Sequence, residues 1–485
     1  MRPLESSSPG ATAAAATAEA PELTPLHWPV ADLLAAFRDR TLSPVEVARE
    51  ALERIEAADP QLNAFLAITA DLALEQAVAA EESYRRGDVE GELLGVPISI
   101  KDAFHIAGHP TTVGSLIHRD EVAAADSGVV RRLRAAGAVF LGKTNTAEFG
   151  QSATTENRLR DAARNPWNPQ CTPGGSSGGA AASVAAGLAS LAVGSDGGGS
   201  VRIPAAFCGL FGIKPTQGLC CDEGGVRAMS DFVSPGPLAW RVADARAMLS
   251  VLAGRDYRQQ ERGRMRIAWC ARPEGHPVDP GLAGAVASGA GALERLGHEV
   301  TPVDLPLGGW ERAFGPLVLD EERRERGHLL EARGDELSSY ELSSLREAER
   351  LTAADVDAAR DELGAYRDRI DGFFASHDLI CTPTVAVPAF EVGRRPREIA
   401  GERVGALWGA FPFTAPFNVA RVTAATLPCG LVDGMPAGLQ LVAPAGGEGL
   451  LLDVCEQLEA ELGFDRSPVL DRWREPNAPR GGERP

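Results

Sequence analysis

Ser176 and Ser200 stand 24 residues apart, each in a glycine-rich turn of the stretch CTPGGSSGGAAASVAAGLASLAVGSDGGGSVRIPAAFCG. A serine hydroxyl is a weak nucleophile until a neighbouring base takes its proton. Glycines supply the other half of that chemistry, because a chain without Cβ lets backbone N–H groups come close to a ligand. The run DGGGS, Asp196 to Ser200, therefore reads as an oxyanion cradle that delivers its own nucleophile. The amides of Gly197, Gly198, Gly199 and Ser200 would point at a developing negative oxygen. A phosphate cradle does not fit, since no lysine follows the glycines as a P-loop requires. Neither cluster shows a dinucleotide GxGxxG pattern in a strand–turn–helix setting.

The base is less obvious. None of the eight histidines sits in a triad motif, and His105 and His109, close behind Lys101, read as surface or packing residues. The lysine count is more informative. Of 48 basic residues only Lys101, Lys143 and Lys214 are lysines, and the other 45 are arginines. A buried lysine can lose its proton, whereas arginine effectively cannot. Lys101 closes the apolar run LLGVPISI (Leu93 to Ile100), which places a candidate base at a buried strand end. Lys143 in LGKTN and Lys214 in GIKPT read instead as packed or hydrogen-bonding lysines. Asp102 reads as a strand-end group behind the site rather than an acid catalyst.

These residues need a scaffold, and the surrounding pattern alternates helix and strand. Val30, Leu33, Leu34 and Phe37 form a helical stripe. SPVE, Ser43 to Glu46, is a capping box with Pro44 at the first helical position. In SGVVRRLRAAGAVFLGK, Ser127 caps an amphipathic helix, Gly137 stops it, and a strand starts at Val139. Strand patterns recur at RIAWC from Arg266, HEVTPVDL from His298 and DLICTP from Asp378. TLPCGLVDGMPAGLQLV predicts a hairpin turning at Asp433-Gly434, which makes the sheet mixed. The small-residue run Ala180 to Gly194 reads as a buried helix, too short and too rich in Ala, Gly and Ser to span a membrane.

The expected organisation is one α/β domain over residues 23–466, with disordered tails at 1–22 and 467–485. A Glu/Arg/Leu-rich helical excursion at about 308–369 has charges that read as a solvated helix face. The net charge of −19 excludes a basic nucleic-acid surface and opposes an acidic membrane. The N-terminal residues lack the apolar core of a signal peptide. Eight cysteines without metal-ligand spacing point to reduced packing residues in a cytoplasmic protein.

Three blocks carry a resemblance: GVPISIKD (Gly95 to Asp102), TPGGSSGG (Thr172 to Gly179) and GSDGGGSVRIPAAFCGLFGIKPT (Gly194 to Thr216). Together with SPGPLAWRVADARAML, CTPTVAVPAF and LPCGLVDGMPAGLQLVAP, in that order, they resemble the amidase signature family. The similarity spans about Leu33 to Leu462. It implies a mixed sheet covered by helices on both faces, and amide hydrolysis through a Ser-cisSer-Lys triad. Matched by position, Lys101 is the base, Ser200 the acyl-forming nucleophile, and Ser176 the bridging serine after a cis peptide bond. Ser177 is the alternative bridge, and Ser177, Asp196 and Arg202 support the reacting groups from behind. Neither metal nor organic cofactor is implied. The implied partner is a small-molecule amide, with no nucleic acid or membrane, and a homodimer left open.

Some positions depart from the family pattern. Ser195 and Gly197 stand where threonines are frequent. Ile203 stands where the glutaminase subunit of tRNA-dependent amidotransferases has Gln, and Gln217-Gly218-Leu219-Cys220 replaces that subunit's usual continuation. The stand-alone amidase is therefore expected ahead of the amidotransferase component. The third reading, a catalytically silent binding module on the same fold, is disfavoured, since all three triad positions keep competent residues.

Overall fold

Apolar runs of four to ten residues, rich in Val, Ile, Leu and Ala, supply the strands of the computed structural model, which describes residues 24–220, 225 and 228–474. In chain order the sheet strands are β1 (Phe65–Ile68), β2 (Pro97–Lys101), β3 (Val139–Thr144), β4 (Leu191–Asp196), β5 (Phe211–Lys214) and β6 (Ser234–Ala239). They continue as β7 (Arg266–Trp269), β8 (Glu299–Pro302), β9 (Leu379–Pro383), β10 (Thr423–Val432) and β11 (Met435–Ala443). Among the described residues these eleven form one sheet, in the order β1-β3-β2-β4-β6-β5-β10-β11-β9-β7-β8.

The sheet is mixed. β2 runs parallel to both β3 and β4, β7 runs parallel to β8 and β9, and the β4–β6 and β10–β11 pairs are antiparallel. The β10–β11 hairpin turns at Asp433 and Gly434, both at positive φ, 50° and 78°. That combination is a type I′ turn, whose twist matches paired strands. Every residue of β2, β3, β5, β6, β9 and β11 is buried, so helices cover both faces. The Ser43 capping box is present, opening the helix Pro44–Leu62.

Three expectations require correction. The run from Ala180 to Gly194 is not one helix. Helix α1 (Gly178–Ala185) stops at Gly187, whose φ of 64° is left-handed, and the chain re-enters as β4. Alanine and glycine fit either element, and pairing beside β2 decides the second half.

The tail expected from residue 467 instead begins with the helix Ser467–Arg472. Trp473, only 1% exposed, donates Nε1–H to the Pro166 carbonyl at 2.9 Å. Trp473 and the fully buried Val469 anchor the segment to the core. Residues 475–485 and the expected tail at 1–22 lie outside the described residues, as does Cys221. Among the described residues, Cys171, Cys208, Cys270, Cys381, Cys429 and Cys455 form no disulfide.

The excursion contains α3 (Trp310–Arg326), α4 (Ser339–Ala348) and α5 (Ala353–Phe373). Its charges do not all face water. Glu322, Arg326 and Glu341 are buried. Beside them Trp310, Phe314 and Leu317 build an apolar cluster with Phe232, Tyr366 and Phe417.

Candidate active site

β2 and β4 are adjacent and parallel, so their C-terminal ends emerge on one edge of the sheet. Lys101 ends β2, and Ser195 and Asp196 end β4. The turn after β4 carries Gly197 to Ser200, and helix α2 (Arg202–Cys208) follows. Ser176 lies in the loop before α1. Thr155 ties that loop down, its hydroxyl donating to the Gly174 carbonyl at 2.8 Å and accepting the Gly178 amide at 3.0 Å. A Cβ on Gly175 would lie 2.5 Å from the Thr154 backbone, so the loop passes where only glycine fits. The Gly175–Ser176 peptide is cis.

Lys101 Nζ donates to Ser176 Oγ at 2.7 Å and to Ser195 Oγ at 2.9 Å. The lysine is 1% exposed, and among the described residues no carboxylate lies within ion-pair distance of it. Burial pushes its ammonium down to about 7, opposed by the more distant charge of Asp196. Lys143 is the contrast. It is equally buried but pairs with Asp102 at 2.6 Å and donates to Thr111 Oγ1 at 2.8 Å. Asp102 also accepts the Thr112 amide at 3.0 Å, which makes it a structural anchor. Lys214 donates to the carbonyls of Pro215 at 3.0 Å and Val422 at 2.5 Å. All three lysines are therefore interior, and among the described residues only Lys101 touches serine hydroxyls.

Asp196 and Arg202 hold the turn that carries Ser200. Burial alone would raise the Asp196 carboxyl, but the Arg202 charge and hydrogen bonds, aided by Asn418, keep it well below the usual carboxylate range. Arg202 donates from Nε and Nη2 to the two carboxylate oxygens at 2.9 Å each. It also reaches Gln440 Oε1 at 2.7 Å and Asn418 Oδ1 at 2.6 Å. Breaking such a buried pair leaves a stranded charge, at a cost of about 3–5 kcal/mol.

One expectation about the cradle is corrected here. The Gly199 amide donates to Asp196 Oδ1 at 2.7 Å, so it shapes the turn and is not free for an oxyanion. Gly197, Gly198 and Ser200 remain as candidate donors. Ser177 does not reach Lys101; its hydroxyl donates to the Ser195 carbonyl at 3.3 Å. Ser200 shares a cavity with Lys101 and Ser176, yet among the described residues no hydrogen bond joins its hydroxyl to Ser176.

The chain matches the Amidase family model over residues 46–452. It belongs to the amidase signature family. It is 34% identical to the acylamidase of Rhodococcus erythropolis, over 90% of this chain and 96% of that protein. It is 32% identical to one component of the glutamyl-tRNA(Gln) amidotransferase of Carboxydothermus hydrogenoformans, over 89% and 96% of the two chains. A solved amidase structure superposes with a TM-score of 0.85 at 31% identity, covering 90% of this chain and all of that one. The chain is thus a hydrolase of amide carbon–nitrogen bonds.

Two chambers meet at Ser200 in this amidase signature enzyme. The inner one, about 60 Å³, is walled by Lys101, Ser176, Ser195, Val113 and Phe149. The outer one, about 340 Å³, runs over the excursion and is walled by Ile203, Phe314, Val318, Leu319, Leu407 and Trp408.

Several site residues were not evident in the sequence. Ser195 contacts Lys101, because β4 pairs Val193 with Ile100, and no local pattern announces that pairing. Thr414, Asn418 and Gln440 lie more than two hundred residues beyond Asp196 in the chain, and no local pattern marks them.

Proposed function

We propose that this amidase works alone on a small-molecule amide, through an acyl-enzyme on Ser200. Neutral Lys101 accepts the Ser176 proton as Ser176 accepts that of Ser200, and Ser200 Oγ attacks the carbonyl carbon. The amides of Gly197, Gly198 and Ser200 hold the tetrahedral oxyanion. When the C–N bond breaks, the relay runs backwards and Ser176 returns a proton to the leaving nitrogen. Water then cleaves the ester by the same relay, releasing the acid and regenerating Ser200.

The observation that carries this reading is the Lys101–Ser176 hydrogen bond of 2.7 Å, made by a buried lysine that has no carboxylate partner among the described residues. Burial favours the neutral form that a base requires. The missing Ser200–Ser176 contact is compatible with it, since catalytic hydrogen bonds often tighten only with substrate in place. An apolar Ile203 in the outer chamber favours the stand-alone enzyme over the glutaminase component of an amidotransferase. Six described thiols that form no disulfide fit a cytoplasmic site of action, and no described helix is long and apolar enough to cross a membrane.

Labelling with a fluorophosphonate tests the assignment on the chain purified without partners. The preparation should turn over a simple amide, and the adduct should map to Ser200 as activity falls. An adduct found only elsewhere, in a preparation that has lost activity, removes Ser200 as nucleophile.

A further inference from the structure

Amide hydrolysis leaves one feature of the outer chamber unused. Helix α3 turns Phe314, Val318 and Leu319 toward the chamber and places Glu322 in the same wall. The Glu322 side chain is 2% exposed. Its Oε2 accepts the Ser344 hydroxyl, and among the described residues its Oε1 has no hydrogen-bond partner. Arg326 Nη2 stands 3.8 Å from Oε1. That guanidinium also serves Glu341, with Nε on Glu341 Oε1 at 2.7 Å and its plane over the Phe149 ring at 4.5 Å, and its Nη2 makes no hydrogen bond among the described residues.

Two buried carboxylates therefore share one guanidinium. With both ionised, the cluster holds one uncompensated negative charge in a low-dielectric setting, which is expensive unless a donor or cation meets it. Burial, and then the Glu341 charge, raise the Glu322 carboxyl to about 7. Among the described residues no Lys, Arg or His lines the chamber. Glu347, also in its wall, is already paired with Arg350 at 2.9 Å, so Glu322 is the wall carboxylate with an oxygen short of a partner.

The two chambers fix which part of the substrate goes where. The leaving nitrogen takes its proton from Ser176, which lines the inner chamber alone. The acyl chain then occupies the outer chamber, with its carbonyl at Ser200 and its stem along the apolar wall. We infer that Glu322 is a specificity residue that accepts a protonated amino group at the far end of the acyl chain. The substrate class is then an amide whose acyl part has an apolar stem and a terminal ammonium. This rests on Ser200 being the nucleophile.

The test compares kcat/KM for matched amides of graded chain length, ending in ammonium, carbamoyl or methyl. At its best chain length the wild-type enzyme should favour ammonium over methyl by about tenfold or more, the scale of one charge-assisted hydrogen bond. Within Glu322→Gln the ratio should collapse toward unity or invert, and Glu322→Asp should restore part of it. Because the ratio is read within each protein, a merely destabilised variant leaves it unmoved. Preference for methyl or carbamoyl in the wild type, or an unchanged ratio in Glu322→Gln, overturns the inference while leaving the hydrolase reading intact. No turnover of any member, methyl-terminated ones included, overturns both.

Discussion

Around Ser200 the chain is built from glycine, alanine and serine, and its polar atoms are tied into one network. Asp196 alone is met by Arg202, Asn418 and the Gly199 amide. The excursion from Trp310 to Phe373 is built from long side chains. Aromatic rings pack edge-on, with Trp310 and Trp408 centroids 5.3 Å apart, and the Glu322 cluster is left short of partners. Small residues let backbone approach backbone and fix a reacting atom to within a fraction of an ångström. Large side chains shape the chamber wall beside Ser200. On the proposed mechanism the first region holds the chemistry, and on the proposed role of Glu322 the second selects the substrate.

Glycine substitutions break this contrast most sharply. Gly199 has φ of 125°, and a Cβ there would lie 2.2 Å from Thr414 Oγ1. Gly199→Ala should move the turn that carries Ser200 and cut turnover by about 10²-fold or more, since even a 1 Å misplacement has that effect. It should also lower the melting temperature. Retention of parent activity would mean that the turn is not held as tightly as the Asp196 network implies. The small end of the scale lies in the excursion, where Gly364 sits on α5 with open space at its Cβ position. Gly364→Ala should leave turnover unchanged and raise stability by up to about 1 kcal/mol, the usual gain in an exposed helix interior. A fall in activity there would show that the two regions are coupled.

The same contrast explains what the sequence disclosed. Glycine-rich turns and the three lysines beside 45 arginines are local signals that point to Ser200 and Lys101, and the family resemblance adds Ser176 as the expected bridge. The hairpin at Asp433-Gly434 and the Ser43 cap were also local. Contacts closed by long-range folding were not. Asn418 and Gln440 reach Arg202 across the sheet, and Ser195 counted as a mild departure until strand pairing set it against Lys101. Glu322 and Glu341 sit in a charge-rich stretch that reads as a solvated face. Only the packing of α3 against α4 buries them. The stretch from residue 467 is the opposite case, reading as a tail while Val469 and Trp473 are buried against the domain, Trp473 on the Pro166 carbonyl.

The central claim is that Lys101 acts as a neutral base, and exchanging lysine for arginine at two buried positions tests it most directly. Lys101→Arg and Lys143→Arg both force a longer guanidinium into a closed site, so each risks about 1–3 kcal/mol of overpacking. They differ in chemistry. A lysine brought down to about 7 is mostly neutral above that pH and can take a proton, whereas a guanidinium stays charged. Turnover of one good substrate above pH 7, with melting temperatures confirming each fold, should fall by about 10²–10⁴-fold in Lys101→Arg, the usual share of a general base. Lys143→Arg, if folded, should keep most of its turnover. A folded Lys101→Arg enzyme working near the parent rate would contradict the account.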